Sequence, residues 1–397
     1  RNDSIAQVEQ KKLEEIQQSQ MVAGNADSTI TVLNEDSLRQ VQMKEAFGIF
    51  SDFTTGENEK INLKNDLVSL SFSSKGGALT EATLNKYKTH DSLPLTLFDE
   101  KDNEYGFIFK TGGRIVNTTD LFFKPIAGKD GKSVTMRLDF GNGKFFDLVY
   151  TLPEDSYMVK MDIRQKGMET ILPGNTASLD LFWNQNLRSQ EKGRMFEERN
   201  SALYYKFVGS DVDHLSESKD EQETISLGLK WIGYKNQFFS SALIPDGKFN
   251  GALIRSGMNN DPAYLKNFHT ETTVDYNPAD NNGPGFRFYL GPNLYPLLHS
   301  YDKGVDDDKA LDLDKLVPLG FKFFRWINTW IIIPIFTFLG KYIANYGIII
   351  LLMTIIIKIF LAPLTFKSYM SSARMRVLRP QIEEINAKYP GQDKAID

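Results

Sequence analysis

A single lysine stands in the most hydrophobic stretch of this 397-residue sequence. Lys358 lies inside LLMTIIIKIFLAPLT, which runs from Leu351 to Thr365. A lysine in the middle of a membrane span costs about 2.5–3.5 kcal/mol on insertion scales. The surrounding apolar run has no aspartate or glutamate that could neutralise the ammonium group. Lys358 is therefore the first candidate for an electrostatic binding residue.

Two threonines share a helix face with this lysine. Thr354 precedes Lys358 by four residues and Thr365 follows it by seven, so at 100° per residue all three fall within about 40° of one another. A stripe of this kind predicts a wall that faces protein or water. The alternative is snorkelling, in which the lysine stem carries the charge to the lipid headgroups. Lys358 is roughly 10 Å from Thr365, and helical side chains lean towards the N-terminus, away from that end. We therefore favour a hydrophilic substrate groove lined by Thr354, Lys358 and Thr365.

Other chemistry is poorly supported by the residue types. The sequence has no cysteine, which excludes disulfides, thiolate metal ligands and cysteine nucleophiles. It has no GxxxxGK[ST] phosphate loop. Its four histidines are scattered and match no catalytic motif: His90, His214, His269 and His299. We predict no catalytic residue, no cofactor and no enzymatic activity.

An acidic run near the middle of the chain invites comparison with calcium loops. Asp306-Asp307-Asp308 is followed by Asp312 and Asp314. An EF-hand loop that started at Asp306 would need glycine at its sixth position, where Leu311 stands. We therefore predict no metal site and interpret residues 301–319 as a solvated acidic connector.

The elements around these residues divide into an acidic part and a basic, hydrophobic part. The net charge is −5 overall, whereas residues 321–397 contain ten basic and four acidic residues, a balance of +6. Residues 1–320 therefore carry −11. Residues 1–52 are polar and are predicted to form a tether with one short helix on Ile5, Val8, Leu13 and Ile16.

Residues 53–300 show the two-residue period of strands. Val68, Leu70 and Phe72 alternate with polar residues, and further alternating runs begin at Val134, Tyr157 and Phe286. Gly141-Asn142-Gly143 is a tight-turn signal between two such runs. Many short strands without a long helical pattern predict a mainly β domain, a β-sandwich.

Two helical segments follow the connector. Residues 320–341 are aromatic, carry basic residues near both ends and contain Pro334, which is typical of an amphipathic helix in the membrane interface. Residues 342–365 include about 21 residues with Lys358 as their one charge, enough to cross a bilayer core as a transmembrane helix. Pro363 is expected to end or kink it.

The charges that flank the span predict its orientation. Lys367, Arg374, Arg376 and Arg379 follow it, so the positive-inside rule places residues 366–397 in the cytoplasm. Residues 1–319 are then periplasmic. Met375, Leu378, Ile382, Ile385 and Tyr389 follow at alternating steps of three and four, which predicts a coiled-coil arm that needs a partner.

The sequence resembles the YidC/Oxa family of membrane protein insertases, in their Gram-negative form. The C-terminal block is the most specific part: Tyr346-Gly347, IIILLMT, Lys358, IFLAPLT, Ser371, Ala373-Arg374-Met375-Arg376, Leu378 and Pro380-Gln381-Ile382. Weaker matches lie upstream: Lys75-Gly76-Gly77 with Leu84 and Tyr87, WIGYKNQFF from Trp231 to Phe239, and FYLGP from Phe288 to Pro292.

The resemblance implies a periplasmic sandwich similar to sugar mutarotases, followed by five transmembrane helices around a hydrophilic groove. Lys358 falls on the position of the single groove cation, where the family usually has arginine. Lysine keeps the charge but loses the planar guanidinium fork. This chain would be an N-terminal portion of such a protein, without its first anchor helix and its last four membrane helices.

The function implied is the insertion and folding of inner-membrane proteins in the bacterial plasma membrane. Nascent membrane proteins, the lipid bilayer, the Sec translocon and the ribosome are the expected partners. Arg374, Arg376 and Arg379 are candidate ribosome-facing residues of the cytoplasmic hairpin, although membrane topology alone also explains them. Two alternatives stay open: a membrane-anchored carbohydrate-binding or mutarotase-like protein, and a β-domain that docks the translocon.

Overall fold

The computed structural model describes residues 35–388 of the chain. The predicted helix on Ile5–Ile16 and the seam residue Tyr389 lie outside that range. Contacts between Cα atoms divide the chain into two compact units, residues 1–316 and residues 317–397. Each unit is described by itself below.

The first unit is built from three antiparallel sheets. The first sheet has four strands in the order β1 (Lys60–Lys64), β2 (Val68–Ser73), β3 (Ala78–Lys88) and β4 (Pro94–Phe98). The second has six, in the order β14 (Glu221–Ile225), β17 (Ala252–Met258), β18 (Tyr264–Asp275), β11 (Ser178–Arg188), β5 (Asn103–Thr111) and β6 (Arg114–Asn117).

The third sheet is the largest, with nine strands. Their order is β13 (Val212–His214), β12 (Ala202–Phe207), β15 (Leu229–Lys235), β16 (Phe239–Pro245), β19 (Asn282–Pro292), β10 (Met158–Lys166), β9 (Lys144–Thr151), β8 (Ser133–Gly141) and β7 (Lys124–Ala127).

Aromatic side chains join the nine-stranded sheet to the other two sheets. The rings of Trp183 and Tyr234 stack with their centroids 3.8 Å apart, and Tyr105 meets Phe288 at 5.2 Å. The four-stranded sheet contributes Phe72, whose ring lies 4.6 Å from that of Tyr150. Because these rings come from opposite sheets and are buried, the core lies between two β layers. The predicted β-sandwich is confirmed.

The alternating sequence patterns correspond to buried strand faces. Val134, Met136 and Leu138 are all fully buried, as are the alternating residues of β10 and β19. The Gly141-Asn142-Gly143 signal forms the β8–β9 hairpin, in which Gly141 pairs with Lys144. Asn142 and Gly143 have φ angles of 52° and 74°, and two positive φ angles define the type I′ turn that suits a two-residue hairpin loop.

The predicted polar tether ends earlier than residue 52. Helix α1 (Glu35–Phe47) leads into a 3₁₀ helix (Gly48–Phe53), and the ring of Phe50 is completely buried. It stacks on Phe109 with centroids 5.2 Å apart and meets Phe140 edge-on at 5.4 Å. The apolar residues at the end of the segment therefore fold it onto the sandwich.

The predicted solvated connector is wrong for its second half. After α2 (Arg194–Arg199) and α3 (Tyr295–Ser300), the chain forms a 3₁₀ helix (Leu313–Leu316) against the nine-stranded sheet. The apolar residues of this half are buried: Ala310, Leu311, Leu313 and Leu316. Trp231 Nε1 donates to the Leu311 carbonyl at 2.6 Å, and Lys206 Nζ lies 2.5 Å from Asp312 Oδ2. Only the Asp306–Asp308 part is a solvated loop. The remaining short 3₁₀ helices are Thr118–Asp120 and Met168–Thr170.

The second unit is helical. Helix α4 (Lys322–Ile327) passes through a π-helical turn (Asn328–Ile332) into α5 (Ile333–Tyr342), so Pro334 begins a helix and does not break one. Proline is tolerated in the first turn of a helix because no N–H is needed there. Phe323–Tyr342 is long and apolar enough to cross a bilayer, with a mean hydropathy of 1.4. Its location in the interface remains a prediction.

Helix α6 (Tyr346–Lys388) is continuous over 43 residues. Pro363 and Pro380 both lie inside it, so the expectation that Pro363 ends the helix is wrong. Such a helix is about 65 Å long, roughly twice the thickness of the hydrocarbon core. The predicted transmembrane segment and cytoplasmic arm are therefore two halves of one helix.

Candidate functional site

The polar stripe lies on one exposed face of α6. Thr354, Lys358 and Thr365 are all exposed in the helical unit. Each threonine hydroxyl donates to the carbonyl four residues earlier, Thr354 to Ile350 and Thr365 to Leu361, both at 2.8 Å. Their hydroxyl protons are therefore satisfied within the helix, whereas Lys358 has no ion-pair partner in residues 35–388. The lysine is the group that could bind something else.

The opposite face of α6 is covered by α5. Ile349 is fully buried and Met353 is 7% exposed, and the ring of Phe336 on α5 stacks on that of Tyr346 at 6.1 Å. Nine residues separate Ile349 from Lys358, which places them 180° apart on an α-helix. The apolar packing of α5 therefore leaves the polar stripe uncovered. No groove is closed by residues 35–388, so the groove itself remains a prediction.

Asn345 begins α6 in a well-defined way. Its side-chain oxygen accepts from the backbone N–H of Gly347 at 2.9 Å. N-terminal amides have no partner within a helix, and an asparagine cap supplies one. The cap fixes the start of the helix and hence the angular position of Lys358.

The three predicted ribosome-facing arginines do not form one basic face. Arg374, Arg376 and Arg379 are all exposed on α6. Arg374 and Arg376 point about 160° apart around the helix, and Arg379 Nε lies 3.1 Å from Glu383 Oε1. The apolar seam beside them is also largely open, since Met375, Leu378 and Ile385 are 44–57% exposed. Their role as a docking site stays a prediction.

The histidines are not gathered into a catalytic centre. His269 lies beside Asn184 and Glu271, and His299 Nδ1 is 3.5 Å from Asp314 Oδ2. His90 and His214 contact backbone carbonyl oxygens elsewhere in the sandwich.

Three carboxylates of the former connector come together. Oxygens of Asp302, Asp312 and Asp314 lie within 4.8 Å of one another. Asp302 accepts from the N–H groups of Leu311 and Asp312 at 2.6 and 2.7 Å, Asp312 binds Lys206, and Asp314 faces His299. Burial raises the pKa of Asp314. These bonds hold residues 302–316 in place, and they account for the cluster without a metal ion.

The sandwich also contains a cleft that the sequence patterns did not reveal. Its volume is about 540 Å³, and it lies between the start of β3 and the strands β5 and β11. Consecutive amides from β11 line it, namely Asn184, Gln185 and Asn186. In a strand, three polar residues in a row break the alternation of the apolar residues around them, which is the one signal that could have pointed here.

A second unexpected feature is a lysine inside the sandwich. Lys235 is 1% exposed, donates from Nζ to the Asn200 carbonyl at 2.7 Å and lies 5.2 Å from the centre of the Tyr204 ring. Burial lowers the pKa of Lys235 from 10.5 to about 8, a shift that nearby Lys266 reinforces and Glu217 opposes. The charged form is thus destabilised by the fold.

Replacing Lys235 by methionine is expected to raise the free energy of unfolding by about 1–3 kcal/mol at pH 7, because one pKa unit corresponds to about 1.4 kcal/mol. The folded pKa is below the unfolded value, so the wild-type penalty is complete below pH 8 and disappears as pH rises to 10.5. The gain should vanish over the same interval. Urea unfolding between pH 7 and pH 10.5 measures this. Lys309→Met, at an exposed lysine, should change stability little at any pH; an equal gain there would contradict the explanation.

A large β-sandwich joined to two strongly apolar helical segments defines a membrane-anchored protein with a folded domain outside the bilayer. Residues 60–336 match the YidC periplasmic domain, and residues 338–396 match the 60Kd inner membrane protein. The chain belongs to the YidC family, as a protein of the inner membrane with a periplasmic domain.

Curated relatives extend over the whole chain. The membrane protein insertase YidC of Parabacteroides distasonis is 48% identical over 396 residues, which cover 100% of this chain and 62% of that protein. The chain thus spans about three fifths of the length of the curated relatives that it matches. The name of these relatives, membrane protein insertase, describes a function that is not enzymatic.

Two solved structures resemble the chain more distantly. YidC from Thermotoga maritima is 15% identical with a TM-score of 0.36 and covers 85% of this chain and 80% of its own. A galactose mutarotase related enzyme from Lactobacillus acidophilus is 8% identical with a TM-score of 0.38 and covers 58% and 97%. The second similarity concerns the sandwich and says nothing about activity.

Proposed function

We propose that the protein is a membrane protein insertase and chaperone, and that the polar stripe of α6 forms one wall of its substrate groove. Membership of the YidC family supports the function. The observation that carries the site is the position of Lys358, opposite the α6 face that α5 covers. A charged residue on the uncovered side of a membrane helix is available to a substrate.

In the proposed mechanism Lys358 attracts acidic residues of a substrate's short translocated segment. A wet groove lowers the desolvation energy of these residues, which would be large in bare hydrocarbon. The hydrophobic segment of the substrate then moves into lipid along the apolar part of the helix. Transfer of apolar surface, about 25 cal/mol per Å², drives this step, so no nucleotide is required.

Further partners belong to the proposal. The Sec translocon would share substrates that have large translocated domains. The ribosome would approach the C-terminal half of α6, where Arg374 and Arg376 are free of ion pairs among the described residues. Single charge reversals at these two positions would separate binding of RNA from a topology signal, since only binding depends on both.

Thiol labelling tests whether water reaches the stripe. The sequence has no cysteine, so Lys358→Cys introduces the only thiol of this chain. In sealed vesicles, a charged maleimide applied from the cytoplasmic side is expected to label it. Cysteine at Ile357 or Ile359, each 100° away on the helix, should remain unlabelled. Equal protection of all three positions would mean a dry lysine and would reject the groove.

A further inference from the structure

The cleft of the sandwich has the lining of a binding site for polar, uncharged groups. Its cationic and anionic side chains are nearly balanced, and the acids have partners in the fold: Lys60 binds Glu100 at 2.8 Å, and Arg188 binds Asp102. A strongly charged ligand would find no uncompensated charge there. Amide side chains dominate the remaining lining.

Several of these amides have unused hydrogen-bonding capacity. The side chain of Asn186 has no hydrogen bond within residues 35–388, and neither does that of Gln185, which is 2% exposed. A buried amide without partners is destabilising by about 1–3 kcal/mol. A primary amide offers one acceptor and two donors side by side, which complements the C=O and N–H of a peptide unit.

The cleft also contains an unpaired stretch of strand edge. Asn186 N–H donates to the Asp102 carbonyl at 2.7 Å, so by the alternation of an antiparallel ladder Tyr105 points its own N–H and C=O away from β11. Strand β6 pairs only with residues 108–111 of β5, and Phe107 N–H is taken by Thr118 Oγ1 at 2.9 Å. Tyr105 is therefore left without a ladder partner on the side that lines the cleft.

An aromatic platform for a sugar ring is missing from the described lining. Tyr105 is its one aromatic residue, and its ring is 3% exposed. Its hydroxyl is already engaged, 2.6 Å from Tyr150 Oη and 2.9 Å from Leu79 N. The lining therefore favours a peptide over a carbohydrate.

We propose that this cleft binds a short, uncharged polypeptide segment in an extended conformation. The segment adds to the free edge of β5 at Tyr105, and the amides of Asn186 and Gln185 meet the flanking peptide units. Strand addition of this kind takes its affinity from main-chain hydrogen bonds and its selectivity from alternate side chains. The proposal goes beyond membrane insertion and does not rest on it.

The test uses the whole protein in lipid nanodiscs and a fluorescein-labelled heptapeptide of alternating threonine and valine. N-methylation of every second peptide nitrogen removes the donors along one edge of an extended strand. We expect one of the two alternate N-methylated peptides to lose at least about tenfold in affinity, and the other to bind within about threefold of the parent. Equal affinity of the two, or no saturable binding of the parent, would overturn the proposal.

A matched pair of variants locates the site. Asn186→Ala is expected to weaken binding about 2- to 12-fold, the range for one net hydrogen bond. Asn267 faces Asn186 across the β11–β18 ladder but does not line the cleft, so Asn267→Ala should leave the affinity unchanged. Displacement of the peptide by maltotriose would assign the cleft to a carbohydrate. Lys358→Met should not affect peptide binding, which separates this proposal from that of the groove.

Discussion

Replacement of Lys358 by methionine is expected to reduce insertion of substrates with an acidic translocated segment at least about 30-fold. Removal of one partner from a desolvated charge pair costs about 2–5 kcal/mol, and 1.4 kcal/mol corresponds to a factor of ten. Substrates without acidic residues in that segment should change less than about twofold. Protease protection of single-span reporters in reconstituted vesicles measures both.

Lys358→Arg is the matched control for this prediction. It keeps the positive charge on the uncovered face of α6 and adds a planar fork, so insertion should remain within a few-fold of the wild type. If methionine impaired acidic and neutral substrates equally, the lysine would act on the fold of the helical unit and not on substrate charge. If methionine impaired neither, snorkelling would be the better explanation.

Trp231→Ala is expected to lower the free energy of unfolding of the sandwich by about 3–5 kcal/mol, as for other buried aromatic residues. Trp231 is fully buried, and its indole nitrogen holds the Leu311 carbonyl. The loss of both should also release residues 306–316 from the sheet. Urea unfolding followed by tyrosine and tryptophan fluorescence measures the first effect, and protease cleavage within this segment measures the second.

Trp231→Phe separates packing from the hydrogen bond. It retains most of the ring but loses the donor to Leu311, so we expect a loss of about 0.5–1.5 kcal/mol. Trp326→Phe, at an exposed tryptophan of the helical unit, should leave the stability of the sandwich unchanged. A phenylalanine variant as unstable as the alanine variant would contradict the assignment of most of the energy to ring packing.

Periodicity predicted the parts of the fold in which burial alternates regularly. The runs at Val134 and Tyr157 are strands with one buried face, and the Asn142-Gly143 turn has the positive φ angles that its residues favour. The same reasoning placed Lys358 on a helix and beside its two threonines. Local sequence was sufficient because each of these features depends on neighbours within a few residues.

The misjudged segments depend on contacts that are distant in sequence. Residues 310–316 were assigned to a solvated connector because their aspartates outnumber their apolar residues locally, yet Leu311 is buried through a bond from Trp231, 80 residues away. Phe50 was likewise assigned to the tether, although Phe109 and Phe140 enclose it. The cleft could not be foreseen, since it exists only where the edges of two sheets face each other.

The anchoring of residues 302–316 determines how the extramembrane part can be isolated as a soluble fragment. A fragment that stopped at Ser300, where the regular strands and α3 are complete, would expose the indole of Trp231 and leave Lys206 buried without its carboxylate. A fragment that started after Phe53 would uncover the cavity that Phe50 fills. Both would be prone to aggregation during expression, whereas a fragment from before Glu35 to Leu316 keeps every one of these contacts.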